Sequence, residues 1–295
     1  MRSNKISLCH FGIMLSAVLF SGVGARAQTA SPSPSSTPSS SPSLERNFFK
    51  NILRDQKAIW TSPAHVHGND APWLIAIGVA TGGFIATDRA TGDNMATHTG
   101  QLDASRVISY AGSIYGVSAE AASFYLIGRA THNRRARQTG ILSAEAIVDS
   151  VIVFSALKGI TQRARPLTGK DRSRFFVGGK SFPSGHAVEA WSVATVVAHA
   201  YHDHVAVQIA AYGVAAAVSL SRFTGLRHYL SDVLVGSAIG FGVGRYVYRA
   251  HHQNNSKAGG EEEEDTSSRA NKLPAITPLY NRRARDYGVA LTWSF

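Results

Sequence analysis

Pro183-Ser-Gly-His-Ala-Val-Glu-Ala-Trp-Ser-Val-Ala-Thr-Val-Val-Ala-His-Ala-Tyr201 is a turn that passes without a break into an apolar run. The run from His186 to Tyr201 is longer than a typical strand and rich in Ala and Val, so it reads as a helix that begins at the turn. Ser184 can cap this helix, Gly185 lets the backbone come close to a ligand, and the unsatisfied amides of the first turn favour an anion. His186 then stands beside that anion. Five further stretches have the same character: roughly Trp73 to Thr87, Val107 to Ile127, Ile141 to Ile160, Val205 to Leu220 and Tyr229 to Tyr248. Gly, Pro and charged residues between them stop helices. An all-α helical bundle with a core of about six helices follows.

The ends of the chain differ from this core. Residues 1–27 read as an export signal, with Arg2 and Lys5 ahead of an apolar run from Phe11 to Val23 and a small-residue Ala25-Arg26-Ala27 site. Residues 28–46 form a Ser/Pro-rich linker and 47–250 the helical domain. Residues 251–295 are a polar tail, predicted to be mostly disordered, with an acidic run from Glu261 to Asp265. It ends in a strand-like segment, Tyr287 to Phe295, where Val289, Leu291, Trp293 and Phe295 alternate with smaller residues. Cys9 is the single cysteine among the 295 residues and would leave with the signal, which excludes a disulfide, a thiolate metal site and a cysteine nucleophile. The net charge of +11 suits an anionic partner without saying which.

Position narrows the choice. In Lys158-Gly-Ile-Thr-Gln-Arg-Ala-Arg165-Pro166 the lysine and the second arginine stand seven apart, which on a helix puts them on nearly one face. Pro166 makes the residue before it a predicted helix end. In Ser221-Arg222-Phe-Thr-Gly225-Leu-Arg227-His228-Tyr-Leu-Ser-Asp232, His228 and Asp232 are four apart. On one helix face the carboxylate can accept from one ring nitrogen and leave the other free as a nucleophile. Gly225 permits a turn that brings Arg222 back toward His228. Taken singly, each segment also fits an ordinary role: cations at a helix C-terminus, a helix cap with a surface histidine, and a helix-stabilising His and Asp pair.

Together, and in this order, the three segments resemble the KxxxxxxRP, PSGH and SRxxxxxHxxxD motifs of the type 2 phosphatidic acid phosphatase (PAP2) superfamily. That superfamily includes bacterial nonspecific acid phosphatases and vanadium-dependent haloperoxidases. The motifs cover Lys158 to Asp232, about a quarter of the chain. The resemblance implies a phosphoric ester hydrolase that acts on phosphate monoesters or on lipid phosphates or pyrophosphates through a phosphohistidine. His228 would attack phosphorus, Asp232 would orient it, and His186 would act as general acid. Lys158, Arg165, Ser184, Gly185 and Arg222 would hold the phosphoryl oxygens, with no metal. Vanadate is expected as an inhibitor. In the alternative reading, a haloperoxidase, vanadate would be a cofactor held by the same residues. A catalytically inactive phosphate-binding protein of the envelope is the other alternative.

The expected partner is a phosphorylated small molecule or lipid, with no nucleic acid, and a membrane surface fits the composition. The first apolar stretch, fifteen residues, spans only about 22 Å of helix against about 30 Å of hydrocarbon. Glu120, Glu145, Asp149 and Glu189 interrupt later ones. With a cleaved signal, six spans would also leave Arg134, Arg135 and Arg137 outside, against the positive-inside tendency. An exported helical domain in the periplasm or envelope is therefore expected, with an integral membrane enzyme as the alternative.

Overall fold

Nearly every residue of the helix that follows the Pro183 turn is buried, which is what an apolar helix without a polar face requires. The computed structural model describes residues 44–65, 70–95, 98–169, 172–258, 275–281 and 286–292. Its elements are α1 (Leu44–Thr61), a short 3-10 turn (Ser62–His65), α2 (Ala71–Asp93), α3 (Thr99–Ala111), α4 (Ile114–Ala130) and α5 (Arg134–Thr161). These are followed by α6 (Gly185–Ala200), α7 (Val205–Thr224), α8 (Leu230–Ala258), β1 (Ala275–Asn281) and β2 (Asp286–Thr292). The bundle is all-α as expected, with eight α-helices among the described residues rather than about six.

Two differences account for the count. The polar segment ahead of the first apolar stretch is itself a helix, α1, which begins at Leu44 and so precedes the predicted domain boundary at residue 47. The stretch Val107 to Ile127 is broken in two. Ser113 caps α4 by accepting from the Gly116 amide at 3.2 Å, a local bond that competes with continuing α3. Gly112 is needed at the break, since a Cβ there would lie 2.2 Å from Val218 Cγ1 and 3.1 Å from the His186 carbonyl. Further on, Asn133 caps α5, its Oδ1 accepting from the Ala136 amide at 3.0 Å.

Helix α6 lies at the centre. Val193 and Val197 pack with Val117 and Phe124 of α4, Ile147 of α5 and Val218 of α7. Val196, on another side, packs with Leu142 of α5 and Val243 and Val247 of α8. The α6–α8 crossing is close because Gly236, Gly240 and Gly244 recur every four residues on α8. A Cβ on them would lie 2.7 Å from the Ser184 carbonyl, 2.2 Å from that of Val188 and 2.3 Å from that of Ser192. This stripe brings the start of α8 against the start of α6.

Helices α2, α5 and α7 are long and apolar enough to cross a membrane. α2 extends beyond the predicted fifteen residues to 23, about 35 Å, and Asp88 is its one buried residue. At the other end of the chain, α8 runs to Ala258, past the predicted domain limit at residue 250. Strands β1 and β2 pair antiparallel, with Ala275 opposite Thr292 and Asn281 opposite Asp286. The predicted terminal strand is therefore one arm of a hairpin. The signal, residues 28–43 of the linker, the acidic run and residues 293–295 lie outside the described residues.

Candidate active site

The loop from Gln162 to Ser184 joins α5 to α6 and carries two of the three motifs. α5 ends at Thr161, and Gln162 takes a left-handed conformation (φ 45°) that turns the chain out of the helix. Arg165 is therefore not on the helix face of Lys158, contrary to the expectation from their spacing. It comes from the loop, where it is half-buried. Lys158 Nζ donates to the carbonyls of Lys180 at 3.1 Å and Pro183 at 2.7 Å, and Thr161 Oγ1 to that of Phe182 at 2.8 Å. The end of α5 thus pins the Pro183 turn.

Ser184 is the N-cap of α6 by position, yet its side chain makes no capping bond. Its Oγ is buried and finds no hydrogen-bond partner among the described residues, and the same holds for Arg222 Nε. These two donors are aligned with the reading that they hold phosphoryl oxygens, because an unmade bond in a buried site is costly without a ligand. A Cβ on Gly185 would meet Phe154 Cε2 at 3.2 Å, so the glycine is fixed by packing as well as by any ligand.

The third motif departs from its predicted geometry in two ways. His228 is not on a helix, since α8 begins at Leu230. The turn after Arg222 places Leu226, not Gly225, in the left-handed region (φ 53°). Gly225 is needed for a close approach instead: a Cβ there would lie 2.9 Å from the Ser221 carbonyl. The Arg222 carbonyl accepts from the amides of Arg227 at 3.1 Å and His228 at 3.2 Å, which closes the turn.

His228 is buried, and its Nδ1 lies 2.7 Å from the Ser181 carbonyl and 3.7 Å from Asp232 Oδ2. A carbonyl oxygen only accepts, so Nδ1 carries the proton and Nε2 keeps its lone pair. The expected direct His228–Asp232 hydrogen bond is thus replaced by one to the backbone. Asp232 acts at one remove. Its Oδ2 accepts from the Tyr229 amide at 2.9 Å and Ser181 Oγ at 2.5 Å, fixing both neighbours of the imidazole. The Tyr229 contact also caps α8 in the manner of an acid in a helix's first turn.

Arg163, a spacer position within the first motif, is fully buried beneath this arrangement. Its Nη1 donates to Asp232 Oδ1 at 2.6 Å and Ser231 Oγ at 2.7 Å, and its Nη2 to Asp88 Oδ2 at 2.9 Å. The guanidinium is 4.7 Å from the Phe175 ring centroid and 4.5 Å from that of Tyr229. Asp88, from the end of α2, also accepts from the Ser231 hydroxyl. An acidic residue late in an apolar helix was the one available signal, since such a carboxylate needs a buried partner.

Electrostatics agree with a site built for an anion. Burial pushes the His186 imidazole well below its ordinary range, and Arg222, His228, Lys158 and Arg165 reinforce the shift. His228 is lowered by burial too, with Lys158 and Arg222 adding to the effect and Asp232 opposing it. Burial would raise Asp232, but His228, Arg163 and Ser181 outweigh it and hold the carboxyl below its usual range. Both histidines are therefore neutral in the free protein near pH 7. Their stabilising contribution is present above about pH 6.5, where the unfolded chain titrates, and is lost as pH falls toward their lowered folded values.

A bound dianion would screen the cations around His186 and raise its affinity for a proton. Tungstate, a tetrahedral dianion that does not titrate near pH 7, is expected to bind with uptake of up to about one proton per site. Calorimetry in buffers of different ionisation enthalpy checks this, and His186→Asn should bind with less uptake, the remainder falling on His228.

A cavity of about 400 Å³ opens beside Arg165 and Arg222, lined also by Ser105, Ser109, Tyr110 and Arg227. The structure thus gathers Lys158, Ser184, Gly185, His186, Arg222 and Asp232 from the ends of α5, α6, α7 and α8, with Arg165 and His228 from the loops between them.

Among known proteins, a 69-residue segment, 23% of the chain, is 39% identical to the Lipid A 1-phosphatase of Porphyromonas gingivalis. The chain spans 16% of that relative's length. A transmembrane PAP2 type phosphatidylglycerolphosphate phosphatase from Bacillus subtilis superposes with a TM-score of 0.46 at 20% identity, over 70% of this chain and 95% of that one. Residues 139–256, which carry all three motifs, match the PAP2 superfamily, so the resemblance first read from the motifs is shown over this segment.

Proposed function

We propose that the chain is a metal-independent phosphatase of the cell envelope that hydrolyses phosphate monoesters or lipid phosphates through a phosphohistidine. The observation that carries this reading is His228, whose Nδ1 proton is held by the Ser181 carbonyl so that Nε2 is free as a nucleophile, within reach of the charges of Lys158, Arg222 and Asp232. Nε2 attacks phosphorus as the bond to the leaving oxygen breaks, and His186 delivers a proton to that oxygen. Water then attacks the phosphohistidine, His186 takes its proton, and inorganic phosphate leaves with His228 restored. Lys158, Arg165 and Arg222 supply the positive charge that the transferring phosphoryl group needs.

Two observations favour a lipid phosphate. The relative that shares the 69-residue segment is a Lipid A 1-phosphatase. Helix α2 presents Trp73, Leu74, Ile75 and Val79 outward, an apolar face suited to a membrane. Export rests on the signal read in residues 1–27.

The test is hydrolysis of p-nitrophenyl phosphate, and of a lipid phosphate in detergent, in the presence of EDTA. Turnover that resists EDTA and is inhibited by vanadate supports the proposal. No turnover of either substrate by folded protein, or bromide oxidation after vanadate loading in place of hydrolysis, overturns it.

A further inference from the structure

A second polar cluster is buried between α1, α5 and α8, remote from the phosphate pocket. Glu145 and Asp149 lie one turn apart on α5, Asp55 comes from α1 and His251 from α8. Glu145 is thirteen residues from Lys158 along the same helix, about 20 Å. All four side chains are at most 2% exposed.

Each carboxylate has one oxygen engaged and one without a partner. Asn51 Nδ2 donates to Glu145 Oε1 at 2.8 Å, Gln56 Nε2 to Asp149 Oδ1 at 2.8 Å, and His251 Nε2 lies 2.6 Å from Asp55 Oδ2. Glu145 Oε2, Asp149 Oδ2 and Asp55 Oδ1 are buried and find no hydrogen-bond partner among the described residues. Arg54, on the exposed side of α1, touches the cluster through Asn51 and the Nδ1 of His251. Three buried carboxyl groups, each with a free oxygen, and one cation at the rim call for either protons or a further cation.

We propose that Asp55, Glu145 and His251, with Asp149 beside them, bind a divalent first-row cation such as Mn²⁺ or Zn²⁺ that ties α1 and α8 to α5. One ligand atom from each of Asp55, Glu145 and His251 lies within 4.8 Å of the others, a spacing that a single ion can bridge. Carboxylate oxygens with one imidazole are a donor set such ions accept, and facing helices of a bundle are where these sites are built. His251 Nε2 gives up its proton to become a ligand, the neutral ring carries the proton on Nδ1, and exposed Arg54 withdraws to solvent. The ion takes no part in phosphoryl transfer.

The test uses the full chain, stripped by dialysis against chelator and then titrated with MnCl₂. Free Mn²⁺ is followed by electron paramagnetic resonance, and melting temperature is read in parallel. About one ion bound per chain, with a rise in melting temperature of about 5–10 °C at a free concentration near 100 times Kd, is expected. Both effects are lost in Glu145→Gln and Asp55→Asn. Absence of binding by the wild-type chain overturns the proposal whether or not the variants fold, and so does binding that persists in both variants. Hydrolysis by the stripped chain at low temperature is unaffected, so failure of the cation site and failure of the phosphatase reading are separate results.

Discussion

His228→Ala is expected to lower kcat on p-nitrophenyl phosphate by about 10⁴-fold or more, the loss seen when a covalent nucleophile is removed from a site that acts as a unit. The fall should be in kcat, since in the proposed site Lys158, Arg165 and Arg222 would hold the ground-state phosphate, and the substitution leaves them in place. The folded protein should survive, because the imidazole's one hydrogen bond goes to the Ser181 carbonyl and that carbonyl belongs to a loop tied down elsewhere. Rapid quench with phosphorus-labelled substrate provides the covalent readout. Label that is stable to alkali and labile to acid, located on the peptide containing His228 and absent from His228→Ala, identifies the intermediate. Activity within tenfold of wild type in the variant would mean that water attacks phosphorus directly, and the nucleophile assignment would be lost.

The parts of the structure legible in the sequence were those set by local rules. Apolar runs bounded by Gly, Pro and charge gave the helices, and the Pro183 turn gave the start of α6 because a cap followed by an apolar run has few other readings. Spacing was a weaker guide. Lys158 and Arg165 do converge, but through a loop that begins at a left-handed Gln162, a conformation no propensity favours there. The four-residue interval between His228 and Asp232 suggested one helix face, yet the helix starts between them, so the carboxylate braces Ser181 and Tyr229 instead of the imidazole. Arg163 and Asp88 are 75 residues apart, and their pairing exists only in the tertiary structure. A buried acid in an apolar helix marks a need for a partner without naming it.

That pairing supports the second large effect. Arg163→Met is expected to destabilise the fold by about 3–5 kcal/mol, because it leaves the buried carboxylates of Asp88 and Asp232 facing each other without their shared cation. Denaturant unfolding of the variant checks the value, and adding Asp88→Asn should restore part of it, since one of the two stranded charges is then gone. A purely structural role would end there, with kcat per folded molecule unchanged. Arg163 also fixes Asp232, which fixes Ser181 and Tyr229 on either side of His228, so under the proposed mechanism it would be a positioning residue for the nucleophile. The milder Arg163→Gln, assayed where it remains folded, should lose about 10- to 100-fold in kcat with KM little changed. Its pH profile is the decisive part. Arg163 helps to hold the Asp232 carboxyl low, so without it Asp232 protonates at higher pH and releases its hold on the Ser181 hydroxyl and Tyr229 amide. The acid limb of the kcat profile then moves upward in pH in Arg163→Gln, and a profile that coincides with wild type would confine Arg163 to holding the fold together.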